Sequence, residues 1–215
     1  MNSDLIFGLL LVLFFVVVLV SWVRGKRRRR AAYRRWAAQR GWDFVTTDPD
    51  LNRGWRAPVV RGGSVDLRVH RSFPEGDVYS FENSYHVGTG PSSGHTRRVT
   101  ALHLGFAVPT IVIMPADKQG EADWGYVPVE LDDPAFSARW YICTERPVEA
   151  ATAAGLITPG FRRRLQAIDG APWQTPTLAF GNDYLFAVGS VSPELGTIEA
   201  YADLLRDLAR ELPEL

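Results

Sequence analysis

The sequence predicts an α+β protein: an N-terminal transmembrane helix, then a mainly antiparallel sheet with a helix pair and a C-terminal amphipathic helix. Three observations predict it. An uncharged apolar run opens the chain, apolar and polar residues alternate through the first half of the remainder, and helical spacing marks the second half.

The apolar run extends from Leu5 to Val23, broken only by Gly8 and Ser21. A helix rising about 1.5 Å per residue needs roughly 20 such residues to cross about 30 Å of hydrocarbon. Trp22 closes the run, where an aromatic ring prefers headgroup depth. A cleaved secretory signal needs a basic leader and a small-residue cleavage site. Met1-Asn2-Ser3-Asp4 carries no basic side chain, and the run ends in Arg24-Gly25-Lys26-Arg27. The expectation is an uncleaved anchor over residues 1–23.

A basic collar, residues 24–40, follows directly. Arg24, Lys26, Arg27, Arg28, Arg29, Arg30, Arg34, Arg35 and Arg40 stand against Asp4 alone on the other side. The positive-inside rule then places the N-terminus outside and the C-terminal domain in the cytoplasm, at the cell (inner) membrane. Trp22, Arg24, Lys26, Arg27, Arg28, Arg29 and Arg30 become candidate contacts to the bilayer and its anionic headgroups. The plainer reading, that the collar only sets topology, stands beside this one. Ala31 to Arg40 reads as a short helix with Tyr33, Trp36 and Ala37 on one stripe, ended by Gly41.

Residues 41–215 form the predicted soluble α+β domain, of ordinary length for one core. From Gly41 onward 15 basic residues face 23 acidic ones, a formal charge of −8. Such a surface excludes general nucleic-acid binding, which depends on basic groups displacing counterions. Cys143 stands alone, so no internal disulfide forms, in keeping with a reducing compartment. Abundant Arg, Ala, Gly and Trp with scarce Lys suggest a GC-rich bacterial genome.

Val65 to Arg71 and Tyr79 to Val87 alternate as half-buried strands, with Phe73 to Asp77 as the turn. Pairing Val69 with Phe81 and Val65 with Tyr85 brings both apolar sets to one face and sets Arg68 opposite Glu82. Further strands are expected at Thr96 to Phe106, Ile111 to Met114, Val127 to Leu131, Phe136 to Cys143, Thr177 to Phe180 and Tyr184 to Val188. Thr144 caps an expected helix that stops at Gly155, and Thr158-Pro159 opens a second one. The last helix opens at Ser192-Pro193-Glu194 or at Thr197. It carries Ile198, Tyr201, Leu205, Leu208 and Leu212 on one stripe, leaves Arg206 off it, and ends at Pro213.

A resemblance rests on Asp133-Pro134-Ala135-Phe136, Trp140-Tyr141-Ile142, Pro147-Val148-Glu149-Ala150-Ala151, Leu156-Ile157-Thr158-Pro159 and Leu165. This stretch resembles uncharacterised bacterial, actinobacterial-type, single-pass membrane-anchored proteins with a C-terminal α+β domain of unknown function. The resemblance implies the architecture and no catalytic residue.

Signatures of chemistry are few. His70, His86, His95 and His103 have no metal-binding helical spacing, so no metal or cofactor is expected. Gly90-Pro91-Ser92-Ser93-Gly94 has the Gly-x-Ser-x-Gly spacing but leads into an expected strand, whereas a nucleophile elbow joins a strand to a helix. Gly88 to Gly94 lacks the Gly-Lys-Ser/Thr ending of a phosphate loop and reads as a hairpin loop. Arg162, Arg163 and Arg164 read as a solvated helix face, and Asp132-Asp133-Pro134 as a turn. One constellation remains: if Leu102 faces Phe81, Ser80 lies between His70 and His103, a weak catalytic candidate beside the plainer reading of a polar sheet face. The expected role is a non-enzymatic binding module for an unidentified protein or small ligand. A membrane-tethered enzyme, such as a hydrolase, is the alternative.

Overall fold

The computed structural model describes residues 3–45, 64–86, 94–122, 125–168, 175–190 and 195–213. Val87, the loop from Gly88 to Ser93, and Ser192-Pro193-Glu194 lie outside the described residues. The chain divides into two compact units, Met1–Phe44 and Val45–Leu215.

The first unit is built on α1 (Ser3–Arg40), one helix of 38 residues. The short helix expected from Ala31 is the end of this longer one. Gly41 terminates it at φ 71°, which costs glycine no Cβ strain. The Trp42 N–H then donates to the Ala37 carbonyl at 2.9 Å, and the Trp42 ring packs on Trp36 at 5.9 Å. That bond and its apolar contact make a Schellman cap. Tyr33, Trp36 and Ala37, the expected stripe, are buried. Arg34 lies over the Phe44 ring at 5.2 Å and Arg40 over Trp36 at 5.9 Å. A short strand, β1 (Asp43–Val45), follows. Among the described residues no helix is long and apolar enough to cross a membrane. The described side chains of the expected span are Phe7 and those from Leu10 onward; the rest of Leu5 to Leu9 lies outside them.

The second unit holds β2 (Ser64–Phe73), β3 (Gly76–His86), β4 (Gly94–Pro115), β5 (Val127–Pro128), β6 (Trp140–Thr144) and β7 (Thr177–Ser190). Their order is β2-β3-β4-β6-β5, with β7 pairing β4, and every pairing is antiparallel. The α+β class and its antiparallel sheet are therefore as expected.

Several boundaries differ from the expectation. The two strands expected at Thr96–Phe106 and Ile111–Met114 are one, β4, and Thr177–Phe180 and Tyr184–Val188 are likewise one, β7. Gly105 (φ 78°) and Asn182 (φ 57°) bend the strands without ending them, and the register shifts on either side of Val108. Pro109 sits at that irregularity, where a missing N–H breaks no regular ladder. The Phe136–Cys143 strand is instead a helical turn, α2 (Pro134–Ser137), followed by β6. Asp133 caps that turn, its carboxylate accepting from the Phe136 N–H at 3.0 Å. Of Val127–Leu131 only the first two residues are strand.

Thr144 ends β6, donating to the Thr110 carbonyl at 2.8 Å, and starts no helix. A 3-10 turn at Pro147–Glu149 leads into α3 (Ala150–Leu156), which runs through Gly155. The second helix begins as expected: Thr158 Oγ1 accepts from the Phe161 N–H at 3.1 Å and opens α4 (Pro159–Gln166). Its arginines are not all solvated, since Arg162 pairs with Asp133 at 3.1 Å.

The final helix, α5 (Gly196–Ala209), buries Ile198, Ala202, Leu205 and Leu208 against β4 and β7. Its seat depends on Gly189, where a Cβ would come within 2.1 Å of the Tyr201 hydroxyl. Arg206 is not the free surface group expected. Glu75, at the β2–β3 turn, accepts from Arg206 Nε at 2.8 Å and from Arg210 Nε at 2.8 Å. The Arg206 guanidinium also lies 4.2 Å over the Phe73 ring. The Arg206 bond, joined by Arg210, lowers the Glu75 carboxyl from 4.5 to about 2 against the opposing pull of burial.

Leu205→Ala and Leu208→Ala are each expected to cost about 2–5 kcal/mol of unfolding free energy. Glu75→Gln is expected to destabilise at pH 7, with its difference from wild type fading on acidification. The folded carboxyl titrates below the unfolded one, so its stabilisation is complete above about pH 4.5 and lost as pH falls through about 2. Urea midpoints of the full chain in detergent, at pH 7 and pH 3, measure all three. Equal midpoints for wild type and Glu75→Gln at pH 7 would remove the clamp.

Candidate functional site

The β2–β3 turn decides what the sheet can present. Phe73 pairs with Gly76, leaving Pro74 and Glu75 as a two-residue loop, tighter than the turn expected from Phe73 to Asp77. Gly76 (φ 141°) permits it, because a Cβ there would lie 2.1 Å from the His103 carbonyl oxygen. Val69 consequently pairs with Ser80 and His70 with Tyr79, one residue out of the expected register. A shift between Asp66 and Val69, with Leu67 at φ 51°, sets Val65 opposite Asn83.

Side chains alternate across a strand, so this slip exchanges faces. On β4, Val78 pairs with Leu102 and Ser80 with Thr100. His70 and His103 therefore share the face of Tyr79, and Ser80 points to the other one. The expected grouping of Ser80 with His70 and His103 does not form. Ser80 is buried, and its hydroxyl lies 3.0 Å from that of Thr100. Glu82 is opposite Asp66 rather than Arg68 on β2, and it accepts from Arg98 Nη2 at 2.9 Å across β4.

What the face does gather is a row of histidines and carboxylates at the hairpin end of the sheet. His70 Nε2 lies 3.4 Å from Asp77 Oδ1, and its ring stacks on Tyr79 at 4.7 Å. His103 Nε2 lies 2.9 Å from Asp183 Oδ2, with its ring 5.0 Å from Tyr184. Asp77 also accepts from Ser72 at 2.6 Å, and Arg68 lies 4.9 Å over the Tyr79 ring. The Ser72 bond, then contact with His70, lowers the Asp77 carboxyl against the effect of burial. Burial raises the Tyr79 and Tyr184 phenols. Asp77, Asp183, Tyr79 and Tyr184 were not foreseen as partners of the histidines. Gly76 after Pro74-Glu75 was the available signal, since a two-residue loop sets His70 beside Tyr79.

In this row Ser72 donates to a carboxylate rather than to a histidine base. His95 stands apart, exposed and stacked on Tyr85 at 5.7 Å; the His86 side chain lies outside the described residues. Cys143 is fully buried, and burial pushes its thiol up to about 11, far from a reactive thiolate. Among the described residues no group of three or more His, Cys, Asp or Glu side chains could hold a metal ion. Two half-open grooves flank Trp140, of about 320 Å³ and 280 Å³. The first is mainly apolar, with Val129, Leu131, Phe136 and Ile142 among its lining.

On α1 the expected membrane contacts divide. Trp22 is exposed, and Lys26 Nζ lies 4.1 Å over its ring. Arg24, Arg27 and Arg28 are exposed and make no hydrogen bond, ion pair or ring contact among the described residues, whereas Arg29 and Arg30 each have such an interaction within the protein. Phe7 and the large apolar side chains from Leu10 to Val20 are 44–68% exposed.

The fold and this site define a small antiparallel α+β protein carrying a long N-terminal helix. No protein-family model and no curated protein matches the chain. A similar solved structure is the crystal structure of the mycobacterial trehalose monomycolate transport factor A, TtfA. The TM-score is 0.60 at 15% identity, over 88% of this chain and 98% of that one, a likeness of fold.

The face assignment has a direct readout in the imidazole resonances. Asp77→Asn is expected to move the His70 signals and Asp183→Asn those of His103, whereas Ser80→Ala moves neither. Displacement of both histidine signals by Ser80→Ala would restore the grouping that the register excludes.

Proposed function

We propose that this chain is a single-pass, membrane-anchored binding module, akin to the actinobacterial-type proteins that its sequence resembles. One observation carries the reading. The apolar side chains of α1 from Leu10 to Val20 are exposed on every side of the helix. Soluble proteins rarely leave contiguous apolar surface of that extent in water, whereas a helix that is hydrophobic all round suits lipid.

In this reading Leu5 to Val23 crosses the bilayer, Trp22 lies at headgroup depth, and the collar keeps the second unit on the cytoplasmic side. The second unit binds a protein partner there. Its net acidity and the mainly apolar groove beside Trp140 support binding rather than catalysis. The fold likeness to a protein described as a transport factor is in keeping with an accessory role.

The full chain is expected to stay in the pellet when bacterial membranes are washed with alkaline carbonate. Protease added to spheroplasts is expected to spare the second unit, and protease added to inverted vesicles to cut it. Release by carbonate would overturn the anchor; digestion in spheroplasts would reverse the orientation.

A further inference from the structure

We infer that Arg24, Arg27 and Arg28 form a binding arc for the phosphates of anionic phospholipid, and that the rest of the basic collar does not belong to it. The inference rests on the membrane-spanning reading of α1 and names the ligand and the residues of its boundary.

The collar's cations are not equivalent. Arg29 and Arg30 are engaged within the protein, Lys26 is folded over Trp22, and Arg34 and Arg40 lie over aromatic rings. Arg24, Arg27 and Arg28 remain exposed and make no hydrogen bond, ion pair or ring contact among the described residues. They are spaced i, i+3 and i+4, which puts them together on one helix face. Tyr33, Trp36 and Ala37 repeat the same spacing farther along and are buried. At about 100° per residue the two triplets point to roughly opposite sides of α1, so the arc faces away from the buried stripe.

Depth supplies the second argument. A headgroup layer is about 5–7 Å thick on each side of the hydrocarbon, the difference between the whole bilayer and its core. Arg28 stands about 7 Å beyond Val23, at about 1.5 Å per residue, so all three guanidiniums fall within or at the edge of that layer. Arg35, also exposed and without a hydrogen bond, ion pair or ring contact among the described residues, stands about 18 Å beyond Val23. That exceeds a Debye length of about 8 Å from the surface, so lipid charge reaches Arg35 only weakly. Guanidiniums pair bidentately with phosphate oxygens, and three of them on adjacent turns surround one or two phosphates from the same side.

The test uses the full chain in neutral detergent micelles, titrated with phosphatidylglycerol or phosphatidylcholine, with bound lipids counted by native mass spectrometry. Wild type is expected to retain phosphatidylglycerol in preference to phosphatidylcholine. Replacing Arg24, Arg27 and Arg28 together by Gln is expected to weaken that retention at least about tenfold, given that each near-surface cation contributes about 1 kcal/mol. The matching triple Lys variant keeps part of it. Arg35→Gln is expected to retain the lipid like wild type, as is the double variant Arg29→Gln, Arg30→Gln. Arg35→Gln serves as the control if that double variant is misfolded.

Undiminished retention by the triple Gln variant would overturn the arc. So would an equal loss in Arg35→Gln, which would make total charge the determinant. Displacement of the lipid by millimolar inorganic phosphate would reassign the site to a soluble phosphate, and displacement by a glutamate-rich peptide would reassign it to a protein. Failure of the anchor itself is seen separately, as release of the wild-type chain by carbonate.

Discussion

The pairing of Glu82 with Arg98 fixes the sheet on which the second unit is built. Both are buried, Arg98 completely, and they face each other directly across β3 and β4. Ser80 and Thr100 form the rung on one side of them, and Ser84 and Thr96 the rung on the other, each pair joined at 3.0 Å. A two-residue slip of β3 would keep every side chain on its face and yet part the carboxylate from the guanidinium. An uncompensated buried charge costs about 3–5 kcal/mol, so the alternative registers are strongly disfavoured. Apolar alternation does not discriminate between such slips, and this polar ladder does.

The surroundings follow from that register. Arg98 also pairs across the sheet with Gly189 of β7, and the missing side chain there makes room for Tyr201 of α5. The helix thus covers a face that is polar near Arg98 and apolar near Leu102 and Leu185. On the reverse face, Phe81, Val99, Ala101, Val112 and Phe186 form an apolar cluster, with Tyr79 and Tyr184 packed against it. The two His–Asp pairs lie where that cluster reaches the hairpin. Glu75, at the tip of the same hairpin, holds α5 through Arg206 and Arg210. One short turn therefore positions the histidine row and secures the last helix.

The sequence made the elements more legible than their pairing. Leu205 and Leu208 were readable as core because helical spacing needs no knowledge of a partner, and the Thr158-Pro159 cap is equally local. Thr144 misled for the opposite reason: a hydroxyl before an apolar run looks like a cap, and its bond to the Thr110 carbonyl is tertiary. The breaks expected after Phe106 and after Phe180 do not occur: Gly105 and Asn182, at positive φ near those points, lie within two strands that run on together. The histidine site was illegible because a change of one residue in turn length moves Ser80 to the opposite face. Arg206 and Glu75 are 131 positions apart, beyond any local pattern.

The continuity of α1 has a mechanical consequence. Its 38 residues form one helix, so the apolar segment and the stripe of Tyr33, Trp36 and Ala37 share a single phase. Turning one end turns the other, and adding one residue between them rotates the stripe by about 100° and lifts it about 1.5 Å. Gly25, between the two, is a soft joint, a glycine with open space around its Cα and less helical than alanine by about 1 kcal/mol. A helix of this kind transmits torsion as faithfully as position, and its length is therefore a matter of angle as well as reach.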